Sequence, residues 1–449
     1  MGSSDNVKKL YDYAKDNLYL CLPDMDIGGE RYNSSLLFGF LTAATGGKEV
    51  IFGEYGMGKT TSSENIISLF YGLPKEAVMA STLQGQPEQT EEKTVGRFDI
   101  GKLNAGEEET IWTYFTLLEP KLIDEVNRLP AGKQSVILQG MDRGVWKYGK
   151  SNIYQQEFSL FGTCNYKDSG NTDLMEAVLD RFDVAVESRS PGANMMRVIR
   201  HMKAGKSPVE NAQLADKLLS DIEGVKVKSF SDYLSVKAKV DEASNEFRML
   251  FEEAEGIALP DAGARKKIKE EISSVKLSHD ADLFLDLVIS EVGFCPKHGQ
   301  KRANNLCKPF CSHYKNYAGS NTKRGLSVRT NKAIVKYSKA LAWFLGSNEV
   351  TVEHVETVLP YAIWHKLEFY DDYLSSLKQD EKDEPLQFYA AKKMVKNMKA
   401  EFDEIKPAQA KVVSLLREGK YGEAKKFIEG DETHVGYEQP VFKEYLRLD

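Results

Sequence analysis

The sequence contains no apolar run that approaches membrane-spanning length, and its N-terminus lacks the charged-then-apolar layout of a secretory signal. The cytoplasm is therefore the default expectation, with no membrane contact. The opening MGSSDN has Asn6 where an N-myristoylation signal wants Ser or Thr, so no lipid anchor is expected either. A basic excess is also missing. The formal net charge is −7 and the pI is about 5.7, which gives no overall electrostatic footprint for nucleic acid. Cysteine is scarce, five in 449 residues, and disulfides are not expected in a cytoplasmic chain. What remains is 41% hydrophobic and 28% charged, ordinary globular material and enough for two or three domains.

One short stretch stands out against this background. VIFGEYGMGKTT, residues 50–61, fits G-x-x-x-x-G-K-[ST]. Val50, Ile51 and Phe52 read as a buried strand, and the glycines let the following backbone curl so that consecutive N–H groups face phosphate oxygens. The expected phosphate loop comprises Gly53, Glu54, Tyr55, Gly56, Met57, Gly58, Lys59, Thr60 and Thr61. Lys59 would reach the β- and γ-phosphates of ATP, and Thr60 would ligate Mg²⁺ at the start of a helix whose dipole favours negative charge. That helix is legible in TTSSENIISLFYGL, with Ile66, Ile67, Leu69 and Phe70 in an apolar cluster before Gly72.

Hydrolysis at such a loop needs a carboxylate for the metal and a group to orient water. PKLIDEVNRLP supplies Asp124 for Mg²⁺ and Glu125 for water, after Leu122 and Ile123, although Pro120 and Lys121 shorten the apolar run expected of a buried strand. FSLFGTCNYKDSG reads as a strand ending at Asn165, whose amide could hold the attacking water or the γ-phosphate. A turn-forming asparagine is the alternative. AVLDRFD presents Arg181. GLSVRTNKAIVKYSKALAWFLG presents Arg329 in the first turn of an amphipathic helix with Ile334, Tyr337, Leu341 and Phe344 on one side. An arginine near a helix N-terminus is disfavoured by the dipole, which points to a partner for its charge outside the helix.

Taken together, GEYGMGKT, LIDEVNRLP, FGTCNY, LDRFD and the long helical stretch from LSVRTN to IWHKL resemble the MoxR family of AAA+ ATPases over roughly residues 25–367. The resemblance implies an α/β AAA+ P-loop core with a parallel sheet, followed by an all-helical lid. It implies Walker A at Gly53–Thr60, Walker B at Asp124 and Glu125, sensor 1 at Asn165, an arginine finger at Arg181 and sensor 2 at Arg329. Two inserts are implied as well, one over VGRFDIGKLNAGEEETIWTYF and the other a hairpin in RGVWKYGKSNIYQQ, whose glycine-containing turn fits a hairpin independently. Such inserts line the central pore of related ring ATPases. ATP with Mg²⁺, a ring homo-oligomer of six subunits, a protein client and a von Willebrand factor A domain partner are further implications. Tyr166 departs from the family's usual proline, and Val328 and Thr330 flank Arg329 in place of proline and alanine. The alternatives are a nucleic-acid translocase of the same clade and a nucleotide-regulated scaffold with little turnover.

The pattern changes near Pro191 from mixed strand and helix to almost continuous helix. The expected division is 1–24 as an N-terminal helical segment, 25–190 as the core, 191–228 as connecting helices, 229–370 as the lid, and 371–449 as a C-terminal helical extension. Within the expected lid, CPKHGQKRANNLCKPFCSHY places Cys295, His298, Cys307, Cys311 and His313 at C-x2-H-x8-C-x3-C-x-H spacing. Zn²⁺ wants four N or S ligands in a tetrahedron, which short paired spacings joined by a loop supply. An iron–sulfur cluster on the three cysteines and His298, or free structural thiols, are the other readings. Cys21 and Cys164 stand apart as packed thiols. Lys297, Lys301, Arg302, Lys308, Lys315, Lys323 and Arg324 make the same stretch locally basic, a second reason to keep the nucleic-acid alternative.

Overall fold

The computed structural model describes residues 2–88, 90–155, 158–166, 176–201, 207–223, 225–293, 317–377, 384–430 and 439–446. Met1–Ser274 with Phe344–Gly346 form one compact unit, and Val275–Trp343 with Ser347–Asp449 form the other.

The first unit is built on five strands: β1 Lys48–Gly53, β2 Leu83–Gln84, β3 Lys121–Asp124, β4 Leu160–Asn165 and β5 Val184–Glu187. They form one parallel sheet in the order β5-β1-β4-β3-β2. Parallel neighbours require crossovers, so sequence-adjacent strands are separated by helices that cover the faces. This accounts for the short, apolar strands. All six residues of β4 are buried, and so are Glu49, Val50, Ile51 and Gly53 of β1. The register sets Asn165 opposite Gly53 and Gly162 opposite Ile123, which gathers three sequence-distant motifs at the carboxyl edge of the sheet.

Helices α1 Ser3–Tyr13, α2 Ser34–Thr45 and α3 Lys59–Tyr71 belong to this unit. The Asn33 side chain caps α2 by accepting from the Leu36 N–H, and Gly46 closes it in the left-handed conformation. Helix α4 Ala131–Arg143 leads into the antiparallel hairpin Val145–Tyr148/Ser151–Tyr154, whose two-residue turn has Gly149 at φ 54°. The other insert pairs Gly96–Phe98 with Thr110–Trp112 around the short helix Ile100–Asn104. The two inserts meet through Phe98 and Tyr148, with ring centroids 4.9 Å apart.

Helices α5 Phe230–Glu255 and α6 Ala262–Ser274 group with the core, although the expected lid began at residue 229. A capping box between Ser229 and Asp232 starts α5, and Gly256 ends it. The anchors run to core elements. Ser244 Oγ donates to the Tyr71 carbonyl at 2.9 Å, Lys237 pairs with Glu119 at 2.8 Å, and the Arg265 guanidinium lies 5.2 Å from the centroid of the Tyr71 ring.

The second unit contains α7 His279–Gly293, α8 Val328–Phe344 as far as Trp343, α9 Val352–Ile363, α10 Leu386–Arg417 and α11 Pro440–Tyr445. Helix α10, in the expected C-terminal extension, packs against α7 and α9 of this unit. Phe402 meets Phe284 of α7 at 5.2 Å and Phe388 meets Tyr361 of α9 at 4.9 Å, while Gln409 Nε2 donates to the Leu283 carbonyl at 2.8 Å. No described helix is long and apolar enough to cross a membrane.

Lys121 explains the interruption of apolar sequence before Asp124. It is fully buried at the start of β3, and its Nζ donates to the carbonyls of Phe115 (2.6 Å), Thr116 (3.0 Å) and Leu118. The same Nζ lies 5.3, 5.4 and 5.8 Å from the ring centroids of Phe115, Trp146 and Phe158. Burial drives its pKa well below that of a free lysine, whereas three acceptors and three ring faces are the surroundings that suit an ammonium. Trp146 Nε1 donates to Gln155 Oε1, and Gln155 Nε2 lies 2.8 Å from Thr116 O and 2.7 Å from Tyr233 Oη, so the hairpin is tied to the same turn. Lys121→Met keeps the aliphatic stem but takes the ammonium from the Phe115, Thr116 and Leu118 carbonyls, of which Thr116 O keeps Gln155 Nε2 as a donor, and should lower stability by about 2–5 kcal/mol in urea unfolding. An unchanged midpoint and slope would show that these carbonyls do not depend on the ammonium.

Candidate functional site

Between β1 and α3 the chain turns through Gly56 at φ 74° and Gly58 at φ 73°, a region that a β-carbon makes costly. Helix α3 then begins at Lys59 with no side chain capping its first N–H groups. Lys59 is only 7% exposed, and its Nζ donates to Gly53 O (2.8 Å), Glu54 O (2.8 Å) and Asn165 Oδ1 (2.7 Å). Burial lowers its pKa, and the nearby Asp124 carboxylate opposes that shift. The three ammonium protons thus hold the loop's own carbonyls and the end of β4.

Asp124 Oδ1 accepts from Thr60 Oγ1 at 2.6 Å and from Thr163 Oγ1 at 2.5 Å. Thr163 Oγ1 in turn accepts from the Glu125 N–H at 2.9 Å. Glu125 has φ 54° and ψ 54° and is the one non-glycine residue with positive φ among the described residues. This left-handed geometry costs about 1–2 kcal/mol per residue, and the surrounding bonds hold it. A β-carbon on Gly85 would come within 2.0 Å of the Glu125 carbonyl oxygen, so glycine is required where β2 passes this turn. The Glu125 carboxylate accepts from Asn165 Nδ2 at 2.7 Å and pairs with Arg128 Nη1 at 3.1 Å. Arg128 Nη2 also donates to Tyr55 Oη in the glycine-rich loop at 3.1 Å.

The hydroxyl of Thr60 and the carboxylate of Asp124 are hard oxygen donors set side by side, the chemistry that suits Mg²⁺. Asn165 is the junction of the site, with Oδ1 on Lys59 and Nδ2 on Glu125. Its backbone carbonyl is held by Asn127 Nδ2 at 3.2 Å.

Tyr19 and Ser188 were not anticipated from the sequence. Their oxygens are 2.8 Å apart and lie 3.3 and 2.8 Å from Met57 O, which ties the loop to the N-terminal segment and to the end of β5. Burial raises the Tyr19 pKa to about 12. An isolated tyrosine and serine, 38 and 131 residues from Met57, leave no local pattern to find. Tyr166, at the position where proline was expected, stacks on Phe52 and hydrogen-bonds to Glu187.

Arg181 is in the same unit but outside this network. Its Nη2 donates to Asp142 Oδ2 of α4 at 2.6 Å and its Nη1 to Ala177 O at 2.5 Å, so its charge is engaged within its own chain. Arg329 is exposed in the first turn of α8 in the second unit, just after Ser327, whose Oγ accepts from the Thr330 N–H at 3.2 Å. Cys295, His298, Cys307, Cys311 and His313 lie outside the described residues. Among the described residues, no group of three or more His, Cys, Asp or Glu is placed to hold a metal. Cys21 and Cys164 are buried free thiols, each with its pKa pushed up to about 12 by burial.

A family model described as "AAA lid domain" matches residues 318–387. The crystal structure of a "putative ATPase" from Cytophaga hutchinsonii is similar to this chain with a TM-score of 0.54 and 18% identity, covering 83% of this chain and 90% of that one. A full-length MCM homolog from Methanopyrus kandleri aligns at a TM-score of 0.41 and 10% identity, over 82% of this chain and 61% of that one. No curated protein matches the sequence. The fold is that of the AAA+ P-loop proteins, an α/β core with a parallel sheet and a helical lid.

Proposed function

We propose that the protein is an ATP-hydrolysing, MoxR-like AAA+ ATPase that works as a ring, most simply a hexamer, to remodel or mature a protein client. The observation that carries this reading is the unbroken hydrogen-bonded chain from Lys59 through Asn165 to Glu125, beside the Thr60–Asp124 pair. It supports the reading because the residues proposed to handle phosphate, metal and water meet at one sheet edge.

In this reading Lys59 leaves the loop carbonyls for the β- and γ-phosphates, and the N–H groups from Gly56 to Thr60 cradle their oxygens. Thr60 and Asp124 hold Mg²⁺, which supplies neutralisation of phosphate charge. Glu125 accepts a hydrogen bond from the attacking water, and Asn165 steadies the γ-phosphate or that water. The water oxygen bonds to the γ-phosphorus while the bond to the bridging oxygen breaks, a proton of that water passes to the Glu125 carboxylate, and ADP leaves with the electron pair. Arg181 completes the charge shell from a neighbouring subunit. To do so it must exchange Asp142 for phosphate, which would make turnover depend on assembly. Arg329 acts as sensor 2, and a von Willebrand factor A domain protein is the adaptor to the client. The cysteine–histidine cluster at residues 295–313 holds one structural Zn²⁺.

Lys59→Ala should lose nucleotide binding, whereas Glu125→Gln should bind ATP and not hydrolyse it, measured by nucleotide titration and phosphate release. Equal loss of binding in both would reject this division of labour. Turnover stimulated by a protein partner supports the remodelling reading; stimulation by DNA with salt-sensitive binding selects a translocase instead.

Mixing Lys59→Ala with Arg181→Ala protein should partly restore turnover, because mixed rings contain interfaces with both groups intact. No recovery despite demonstrated co-assembly would reject action of Arg181 across the boundary.

Elemental analysis of anaerobically purified protein should find one zinc per chain. Iron with visible absorption would redirect the assignment to a cluster, and absence of metal would remove it.

A further inference from the structure

We propose that Tyr19 and Ser188 are positioning residues for phosphate binding, acting through the Met57 carbonyl to aim the Gly58 N–H at the phosphate. The inference deepens the proposed function and rests on the nucleotide-binding role of the glycine-rich loop. That loop carries an ambiguity of its own. Gly56 and Gly58 stand at φ 74° and 73°, with Met57 between them outside the positive region, the alternating backbone in which successive N–H groups converge on an anion. Glycine takes φ of either sign at similar cost, so the peptide between Met57 and Gly58 can also rotate to present its carbonyl where the N–H stood. A carbonyl there repels phosphate. Another part of the chain has to choose between the two orientations.

Two hydroxyls make that choice. Ser188 Oγ donates to Met57 O at 2.8 Å, and Tyr19 Oη lies 3.3 Å from the same oxygen and 2.8 Å from Ser188 Oγ. Each hydroxyl has one proton to give. With the Ser188 proton on Met57 O, the Tyr19 proton bonds to Ser188 Oγ or turns to Met57 O, so either hydroxyl can hold the carbonyl when the other is lost. Burial raises the Tyr19 pKa to about 12, which keeps the phenol a donor. The peptide is trans, and in a planar trans peptide the N–H points opposite to the C=O. Gly58 N–H is thereby turned away from both hydroxyls, and it has no acceptor among the described residues. The two holders are themselves fixed. The N–H of Ser188, a buried residue, donates to Phe52 O of β1 at 2.8 Å, and the Tyr19 N–H donates to Ala14 O at 2.8 Å. The Tyr19 ring also closes one side of Gly58, where a β-carbon would meet it at 3.0 Å.

The test titrates wild type, Tyr19→Phe, Ser188→Ala and the double variant with pyrophosphate and with ADP, and records the melting temperature without ligand and the KM and kcat for ATP. Pyrophosphate has no nucleoside, so it reports on the phosphate cradle alone. Each single variant should lose about two- to threefold in pyrophosphate affinity, because one hydroxyl remains on the carbonyl. The double variant should lose about ten- to thirtyfold, more than the product of the two single losses. ADP affinity should fall in parallel, and the loss should appear in the KM for ATP rather than in kcat. Unchanged pyrophosphate affinity in the folded double variant overturns the proposal. A fall in melting temperature alone would then make the two hydroxyls a structural brace, and a fall in ADP affinity alone would make them a contact for the nucleoside. Should the double variant not fold, Ser188→Ala decides, and wild-type pyrophosphate affinity there overturns the proposal. Pyrophosphate and ADP that bind wild type no better than Lys59→Ala would remove the nucleotide-binding role of the loop and this inference with it, a result distinct from failure of the two hydroxyls.

Discussion

Parallel pairing of β4 with β1 fixes Asn165 directly opposite Gly53, and from that one register the proposed nucleotide site takes its shape. A slip of one residue would turn every side chain of β4 to the other face of the sheet. It would withdraw Asn165 from both Lys59 and Glu125 and bury an amide with no partner. The register is held by burial of the whole of β4 between β1 and β3, because a strand enclosed on both edges has no alternative pairing. The glycine-rich loop and the Asp124–Glu125 turn then start from neighbouring strand ends.

Charge at the site is balanced by short bonds within a poorly solvated edge. Lys59 and Arg128 are positive and Asp124 and Glu125 negative, and Thr60, Thr163 and Asn165 are neutral groups that hydrogen-bond between them. Lys59 is the buried charge of the set, so removing Asp124 beside it would leave the ammonium poorly compensated. In the proposed reading, phosphate would replace the loop carbonyls as the partner of the lysine ammonium.

The parts of this arrangement that were legible in the sequence are those whose chemistry is local. The glycine spacing before Lys59, the acidic pair after Leu122 and Ile123, the helix from Lys59 and the hairpin turn at Gly149 each follow from residues that are neighbours in the chain. Asn165 was readable as a strand end, but its role as the junction between Lys59 and Glu125 depends on strand order. The contacts of Tyr19 and Ser188 with Met57 are tertiary and leave no periodic trace. The division at Ser274 was not legible because α5 and α6 have the same helical pattern as the lid. Their anchors, among them those on Tyr71, Glu119 and Gln155, group them with the first unit. The same holds for α10, whose apolar face says that it is covered but not by what.

The buried lysine at the start of β3 gives that strand a mechanical character. One end is fastened, through an ammonium among aromatic rings, to the tryptophan of the hairpin; the other carries Asp124 and leads directly into Glu125. A four-residue strand spans about 10 Å and is already extended, so it has almost no length to give. Close packing leaves little room for sideways yielding either. A pull on the hairpin is therefore not dissipated in a soft linker on its way to the carboxylates. It arrives as a tilt of a short stiff rod whose far end stands beside the glycine-rich loop.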